Sequence, residues 1–329
     1  MARRGTYLDK VTFRPIPDED SRLASLTTSD VQVMHTVRQA QNTKRAAGQD
    51  DTVQSLIDIG NPSADLMLNF SKAPMNDRRV RLALGYAVNQ KQLISAQGLE
   101  GLAPESTQIF AEDSPYYSRA AAQKYPKQDV NKAKQLIQEY VNDPARSDGK
   151  AVGQPVSVAI TCTAGVASLN DLVILYQQYF KDIGVVATPD LIDQASLINK
   201  AVGTAPEYKG QYDATCFRNG SDSDPDVLYN AFTSPTAAAN TNDIDNARVR
   251  ELLDSGRKSA VPADRQKAYQ DVAEILADEG AYIFHGGLVT AVGAKSDVKG
   301  IADWQVPGGK KGEGFPGSMV HFVEVWLDR

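Results

Sequence analysis

The sequence predicts an α/β protein, and three observations lead there. Strand-like runs alternate with amphipathic helices across residues 156–217, the order that builds a sheet covered by helices. The stretch Asp65-Leu66-Met67-Leu68-Asn69 reads as a short strand that runs into a polar turn and then a helix. Two more helical patterns, over residues 247–258 and 262–278, lead into further strand-like runs at 281–285 and 288–294. With 329 residues, 42% of them hydrophobic and 23% charged, the chain can bury one large or two medium cores.

The N-terminal residues 7–16 begin as an alternating strand, with Val11 and Phe13 on one side and Thr12 and Arg14 on the other. Pro15 has no N–H to donate, so the strand ends there or lies at a sheet edge. Asp18, Glu19 and Asp20 start a helix that runs to Leu26. Residues 30–33 form a second short strand, and the polar residues 35–51 read as a solvated helix.

Pro74 disfavours helix at the residue before it. Asn76 or Asp77 then caps the next helix, a short side-chain oxygen accepting from the free N–H groups of its first turn. Val80, Ala83, Leu84, Ala87, Val88 and Ile94 fall at helical spacing on one apolar face. Arg78, Arg79 and Arg81 occupy the first turn, where positive charge opposes the helix dipole. They are expected to pair with acids on a neighbouring loop.

Residues 97–107 form a Gly- and Pro-marked loop, which Ser114-Pro115-Tyr116-Tyr117 continues. Asp129 caps a helix bearing Ala133, Leu136, Ile137 and Tyr140 on one face. The helix over 168–183 carries Leu172, Leu175, Tyr176, Tyr179 and Phe180 on its apolar side. Pro262 opens a helix at a first-turn position, where its missing N–H is no loss. Residues 322–326 close the chain as a strand.

Composition excludes several classes. The net charge of −6 argues against general nucleic-acid binding, which needs a basic footprint. No stretch approaches the roughly 20 apolar residues of a membrane span. The start, Met-Ala-Arg-Arg-Gly-Thr, is basic with no apolar segment after it, so no signal peptide is read in this chain. Cys162 and Cys216 lie in strand-like runs and are expected as two buried free thiols, with one disulfide as the alternative in an exported protein. His35, His285 and His321 lack ligand-like spacing and read as structural or surface residues. No P-loop, no Gly-x-Ser-x-Gly elbow and no Gly-x-Gly-x-x-Gly after a strand is present, and no cofactor or metal is expected.

The run Leu68-Asn69, then Pro74-Met75-Asn76-Asp77-Arg78-Arg79-Val80-Arg81 and Ala83-Leu84, resembles the signature of the family 5 extracellular solute-binding proteins of ABC importers, which bind peptides, opines or nickel. Met75 replaces the usual Phe. Ser29-Asp30-Val31-Gln32 resembles the family's early strand, and Lys132-Ala133-Lys134-Gln135-Leu136-Ile137 its Lys-Ala-Lys-x-Leu-Leu helix. The resemblance runs from Tyr7 to Trp326 and corresponds to the C-terminal portion of the longer family members. It implies a periplasmic-binding-protein-like fold (class II, cluster C) of two lobes, N-terminally truncated. Residues 1–63 with 290–329 would form a partial large lobe, and 64–289 the second α/β lobe.

The segment Asn219-Gly220-Ser221-Asp222-Ser223-Asp224-Pro225-Asp226 resembles the family's Trp-Gly-x-Asp-Tyr-Pro-Asp-Pro loop. The resemblance puts Asp222 where peptide-binding members pair an acid with the ligand's α-amine, a charge-assisted contact. Asn219, Gly220, Ser221 and Ser223 would line the same pocket, wider and more polar because Asn219 and Ser223 replace aromatics. The structural alternative is an Asp/Ser-rich turn that caps the next helix, the reading preferred for Asp224 and Asp226. An EF-hand is excluded, because Val227 stands where Gly is needed and Thr233 where a bidentate Glu is needed.

The function the resemblance implies is solute binding for import. The partners are a small-molecule or peptide ligand and a membrane permease, in a periplasmic or cell-surface location. The alternatives are a small hydrolase using the Asp222 loop, or a truncated remnant that binds nothing. Self-association through an exposed strand edge at residues 12–16 is also expected.

Overall fold

A computed structural model describes residues 7–37, 40–60, 64–203, 207, 209–218, 224–234, 240–305 and 318–328. In chain order the elements are α1 (Glu19–Thr27), β1 (Val33–Thr36), α2 (Ala40–Gln49), β2 (Val53–Ile59), β3 (Ala64–Leu68), α3 (Arg78–Ala87) and α4 (Gln90–Ala96). There follow α5 (Arg119–Lys124), α6 (Val130–Val141), β4 (Val156–Thr163), α7 (Ala167–Asp182), β5 (Val185–Ile192), α8 (Gln194–Val202) and β6 (Ala214–Arg218). The last are α9 (Val227–Phe232), α10 (Ala247–Lys258), α11 (Pro262–Asp278), β7 (Tyr282–Phe284), β8 (Val289–Lys295), β9 (Val298–Lys299) and β10 (Trp326–Leu327). None of the described helices is long and apolar enough to cross a membrane.

The chain divides into two compact units. One comprises Met1–Gly60, Gly101–Ala103 and Leu288–Arg329; the other comprises Asn61–Glu100 and Pro104–Gly287.

In the first unit, β8 lies between β1 and β2, antiparallel to both. A small core of Leu26, Met34 and Val53 packs beside it. Gly293 in β8 leaves room for close approach, since a Cβ there would lie 2.8 Å from Leu26. A second cluster gathers Val292, Ala294, Val298, Ile301 and Val325. Asp18 caps α1 by accepting from the Ser21 N–H at 2.8 Å.

Two expectations for this unit are corrected. The N-terminal residues 7–16 form no strand. Among the described residues their alternation finds no neighbouring strand to pair with, and Phe13 is 78% exposed, its ring centre 5.6 Å from that of Phe322 and edge-on to it. Residues 322–326 do not form one closing strand either: Phe322–Glu324 is a 3₁₀ turn, and only Trp326–Leu327 is a strand, β10, which pairs with β9.

The second unit is built on a five-stranded sheet in the order β5-β4-β6-β3-β7. β4 is parallel to β5 and β6, while β3 is antiparallel to β6 and β7. The two faces carry two cores. Leu66 and Leu68 of β3 point into one with α3, α6 and α7, whose members include Leu84, Ile137, Tyr176 and Phe180. Met67 points into the other, with Leu253 of α10 and Tyr269, Val272 and Leu276 of α11. That alternation follows from the two-residue period of a strand.

Cys162 of β4 and Cys216 of β6 form a disulfide with a Cα–Cα distance of 4.9 Å. This corrects the expectation of free thiols. Each cysteine reads locally as a small buried residue, but the parallel pairing of β4 with β6 brings them side by side.

Candidate functional site

The signature turn shows how the sequence positions its charges. Asp77 is the α3 cap and accepts from the Arg79 N–H at 2.8 Å. The three first-turn arginines are all engaged, as expected. Arg78 pairs with Asp278 at 2.9 Å, Arg79 with Asp77 and Asp143 at 2.6 and 2.9 Å, and Arg81 with Glu279 at 2.8 Å. They also donate to the carbonyls of Asp278, Glu139 and Glu279. The positive charges that oppose the α3 dipole thus lie at the C-terminal ends of α11 and α6, where a helix dipole favours them. Burial lowers the Arg81 pKa to about 10, which leaves it charged at neutral pH. Asn69 is a structural residue too, its side chain donating to the Gly210 and Tyr212 carbonyls at 2.9 and 3.0 Å. The signature is a strand, a turn and a capped helix tied to their neighbours.

Of the predicted pocket residues, Asn219, Gly220, Ser221, Asp222 and Ser223 lie outside the described residues. Both flanks of that loop are described. β6 leads into it from the middle of the sheet, and Asp224 to Asp226 lead out of it into α9. Asp226 receives a two-pronged contact from Arg257, 2.8 Å from both Nε and Nη2, and the Arg257 guanidinium lies 3.4 Å over the Tyr229 ring. The Tyr269 hydroxyl donates to Asp226 at 3.4 Å, and Asp224 pairs with Arg265 and accepts the Asp226 N–H at 2.8 Å.

These contacts set the electrostatics of the flank. The Arg257 hydrogen bond holds the Asp226 carboxyl below the usual carboxylate range, and burial first, with the Asp226 charge second, pushes the Tyr269 phenol up to about 12. The Asp226 side chain does not cap α9, because Arg257 takes it. Both acids that the sequence reading assigned to structure are held by arginines. The pairs are partly exposed, so their worth is geometric: each contributes only about 0–1 kcal/mol, but together they fix where the loop re-enters the fold.

Sequence reasoning missed a set of buried polar side chains in the second unit. Asp65 Oδ1, Ser106 Oγ, Tyr176 OH, Tyr212 OH and His285 Nε2 are enclosed without hydrogen-bond partners. The His285 and Tyr176 rings lie 5.7 Å apart, and burial drives the His285 pKa down to about 3, keeping the imidazole neutral. His285-Gly286-Gly287 forms a tight connection: Gly286 has φ +116°, and the Gly287 N–H donates to the Pro104 carbonyl at 2.8 Å. Among the described residues, no three His, Cys, Asp or Glu side chains group as metal ligands.

Comparison with known proteins adds the family. Residues 2–240 match the model of the bacterial extracellular solute-binding proteins, family 5 Middle. The chain is 24% identical to the nickel-binding periplasmic protein of Escherichia coli over 84% of its own length and 52% of that protein's. It is 22% identical to the oligopeptide-binding protein AppA of Bacillus subtilis over 84% of its length and 50% of that protein's. The solved ABC transporter-associated periplasmic binding protein DppA of Helicobacter pylori, in complex with the peptide STSA, superposes with a TM-score of 0.77 at 20% identity, covering 98% of this chain and 58% of that one. The chain therefore spans about half the length of the curated relatives it matches. It belongs to the family 5 bacterial extracellular solute-binding proteins, and its fold is that of the periplasmic binding proteins.

Proposed function

We propose that this member of the family 5 solute-binding proteins is the solute-binding part of an ABC importer, taking a peptide or similar small solute and delivering it to a membrane permease. The observation that carries the reading is the family match across residues 2–240, which includes the signature turn. In this reading Asp222 pairs with the ligand's amine, and Asn219, Gly220, Ser221 and Ser223 complete the polar lining. The arginine brace on Asp224 and Asp226 supports it, because it holds the described residues that follow the segment in place. Residues 1–63 with 290–329 belong to one lobe, and 64–289 to the second.

The location is periplasmic or at the cell surface. The Cys162–Cys216 disulfide supports this, since such bonds persist in oxidising compartments. The reaction class is binding without turnover. Native mass spectrometry of freshly purified protein tests the assignment: a co-purified peptide or small polar molecule is expected. Steady release of product from peptide or ester panels would replace it with the hydrolase alternative.

Self-association is part of the proposal, but not through residues 12–16, which form no strand. The edges of the three-stranded sheet in the first unit are β1 and β2, and Phe13, Met319 and Val323 add exposed apolar surface. Light scattering across a concentration series should show dimer, and Phe13→Ser should weaken it; a constant monomer mass would remove this element.

A further inference from the structure

The shortest ladder in the five-stranded sheet lies between β4 and β6. β4 pairs with β5 along its whole length, from Val156 to Thr163, and β6 pairs with β3 from Ala214 to Arg218. Among the described residues, β4 and β6 themselves pair only at Ile160↔Ala214 and Thr161↔Thr215. Side chains extend this short joint at both ends. At its amino end the Asp213 carboxylate, itself paired with Lys72 at 2.7 Å, accepts the Ala159 N–H at 2.8 Å. At its carboxyl end the Thr215 hydroxyl donates to the Thr161 carbonyl at 3.1 Å, and the Cys162–Cys216 bond takes the place of the next rung.

The position of the joint gives the bond its consequence. β4 has β5 on one side and β6 on the other, and the chain leaves β4 for β5 through α7 and comes back to β6 through α8. The carboxyl ends of parallel strands at such a reversal frame the crevice where open α/β sheets take ligands. The apolar cluster of this unit holds the rest of the joint without the bond, since Val158 and Ile160 of β4 share it with Leu66 of β3 and Ala214 of β6. Loss of the bond therefore frees the two carboxyl ends first and leaves the body of the sheet in place.

We propose that Cys162 and Cys216 form a redox-set clasp that, once oxidised, fixes the spacing of the carboxyl ends of β4 and β6 at that crevice. Closing the clasp takes two electrons and two protons from the two thiols; a small disulfide such as oxidised glutathione accepts them and leaves as two thiols. Cys162 is fully buried and Cys216 is 6% exposed, so the closed clasp is shielded from reductants. The chain is clasped where disulfides persist and unclasped where thiols stay reduced. An effect on solute affinity rests on the solute-binding reading; the clasp itself does not.

The test is hydrogen–deuterium exchange on the full chain, read by mass spectrometry, for the oxidised wild type, the wild type reduced with a phosphine, and the Cys162→Ala/Cys216→Ala variant. Opening the clasp should speed exchange about tenfold in fragments holding residues 162–167 and 215–218, and leave those from α6 and α11 unchanged. Cys162→Val/Cys216→Ala, which refills part of the space left by the sulfurs, serves if the first variant does not fold. Equal exchange in all forms, or a rise spread evenly over the unit, would overturn the clasp and leave the bond as a general stabiliser. Peptide titration of the same proteins keeps the two readings apart: a variant that binds peptide at least tenfold more weakly than the oxidised wild type extends the clasp to binding. A wild type that binds no peptide counts against the solute-binding reading alone, because exchange decides the clasp without any ligand.

Discussion

Arg81 donates to both the carbonyl and the carboxylate of Glu279, at 2.9 and 2.8 Å, and so ties the start of α3 to the end of α11. The same guanidinium donates to the Met75 carbonyl at 2.7 Å and lies 3.6 Å over the Phe70 ring. Arg81 is 3% exposed, so removing it leaves buried carbonyls unpaired. Arg81→Met should cost about 1–3 kcal/mol, the scale for leaving buried acceptors unpaired. Glu279→Gln should cost less, because the Glu279 side chain reaches solvent and its carbonyl bond survives. Urea unfolding of both variants checks the order, and equal midpoints would show that Arg81 contributes only surface charge.

Leu84 is fully enclosed on the α3 face that meets the sheet. Leu84→Ala should destabilise by roughly 2–5 kcal/mol through lost transfer energy and the cavity left behind. A denaturation midpoint equal to that of the wild type would show that this face is not core.

The Cys162–Cys216 bond closes a loop with a sequence separation of 54. Replacing both cysteines with Ser, or reducing the bond, should lower stability by about 2–4 kcal/mol, chiefly by freeing the unfolded chain. Mass measurement with and without an alkylating agent checks the bond itself: two modified thiols in the native protein would contradict it.

His285 is held neutral in the fold, with its pKa down at about 3. In the unfolded chain it titrates near 6.5, so below that pH the unfolded state takes up a proton the folded state refuses. The wild type therefore loses stability as pH falls from 6.5 toward 3, by up to about 1.4 kcal/mol per unit from this group. His285→Gln lacks the term, so the stability gap between the two proteins should narrow toward acid pH. Gaps that stay constant between pH 7 and pH 4.5 in urea titrations would show that His285 charges freely in the fold.

Much of the helical structure was legible because its ends carry local chemistry. Asp129 caps α6 as expected, Asp77 is the one of the two candidates, Asn76 or Asp77, that caps α3, Asp18 of the acidic start caps α1, and Pro262 opens α11 at its first residue. The arginine partners were legible in kind but not in identity, since Asp143, Asp278 and Glu279 reach α3 through folding of distant segments. The alternation of residues 7–16 misled because a strand needs a neighbour, and none of the described residues pairs with it. The disulfide was hidden for a similar reason, because β4 and β6 become neighbours only in the sheet. Asp65 gave no warning: an acid in Asp-Leu-Met-Leu looks like a solvent-facing strand position until β6 and β7 enclose it on both sides.

The central claim is that this chain binds a solute through an amine contact at Asp222. Titration calorimetry with matched free and N-acetylated peptides, on wild type and on Asp222→Ala and Asp226→Ala, tests it most directly. The account predicts saturable binding of free peptides that falls at least tenfold in Asp222→Ala and less in Asp226→Ala, because removing Asp222 leaves the ligand's cation unpaired. Equal affinity for free and acetylated peptides in the wild type would contradict it.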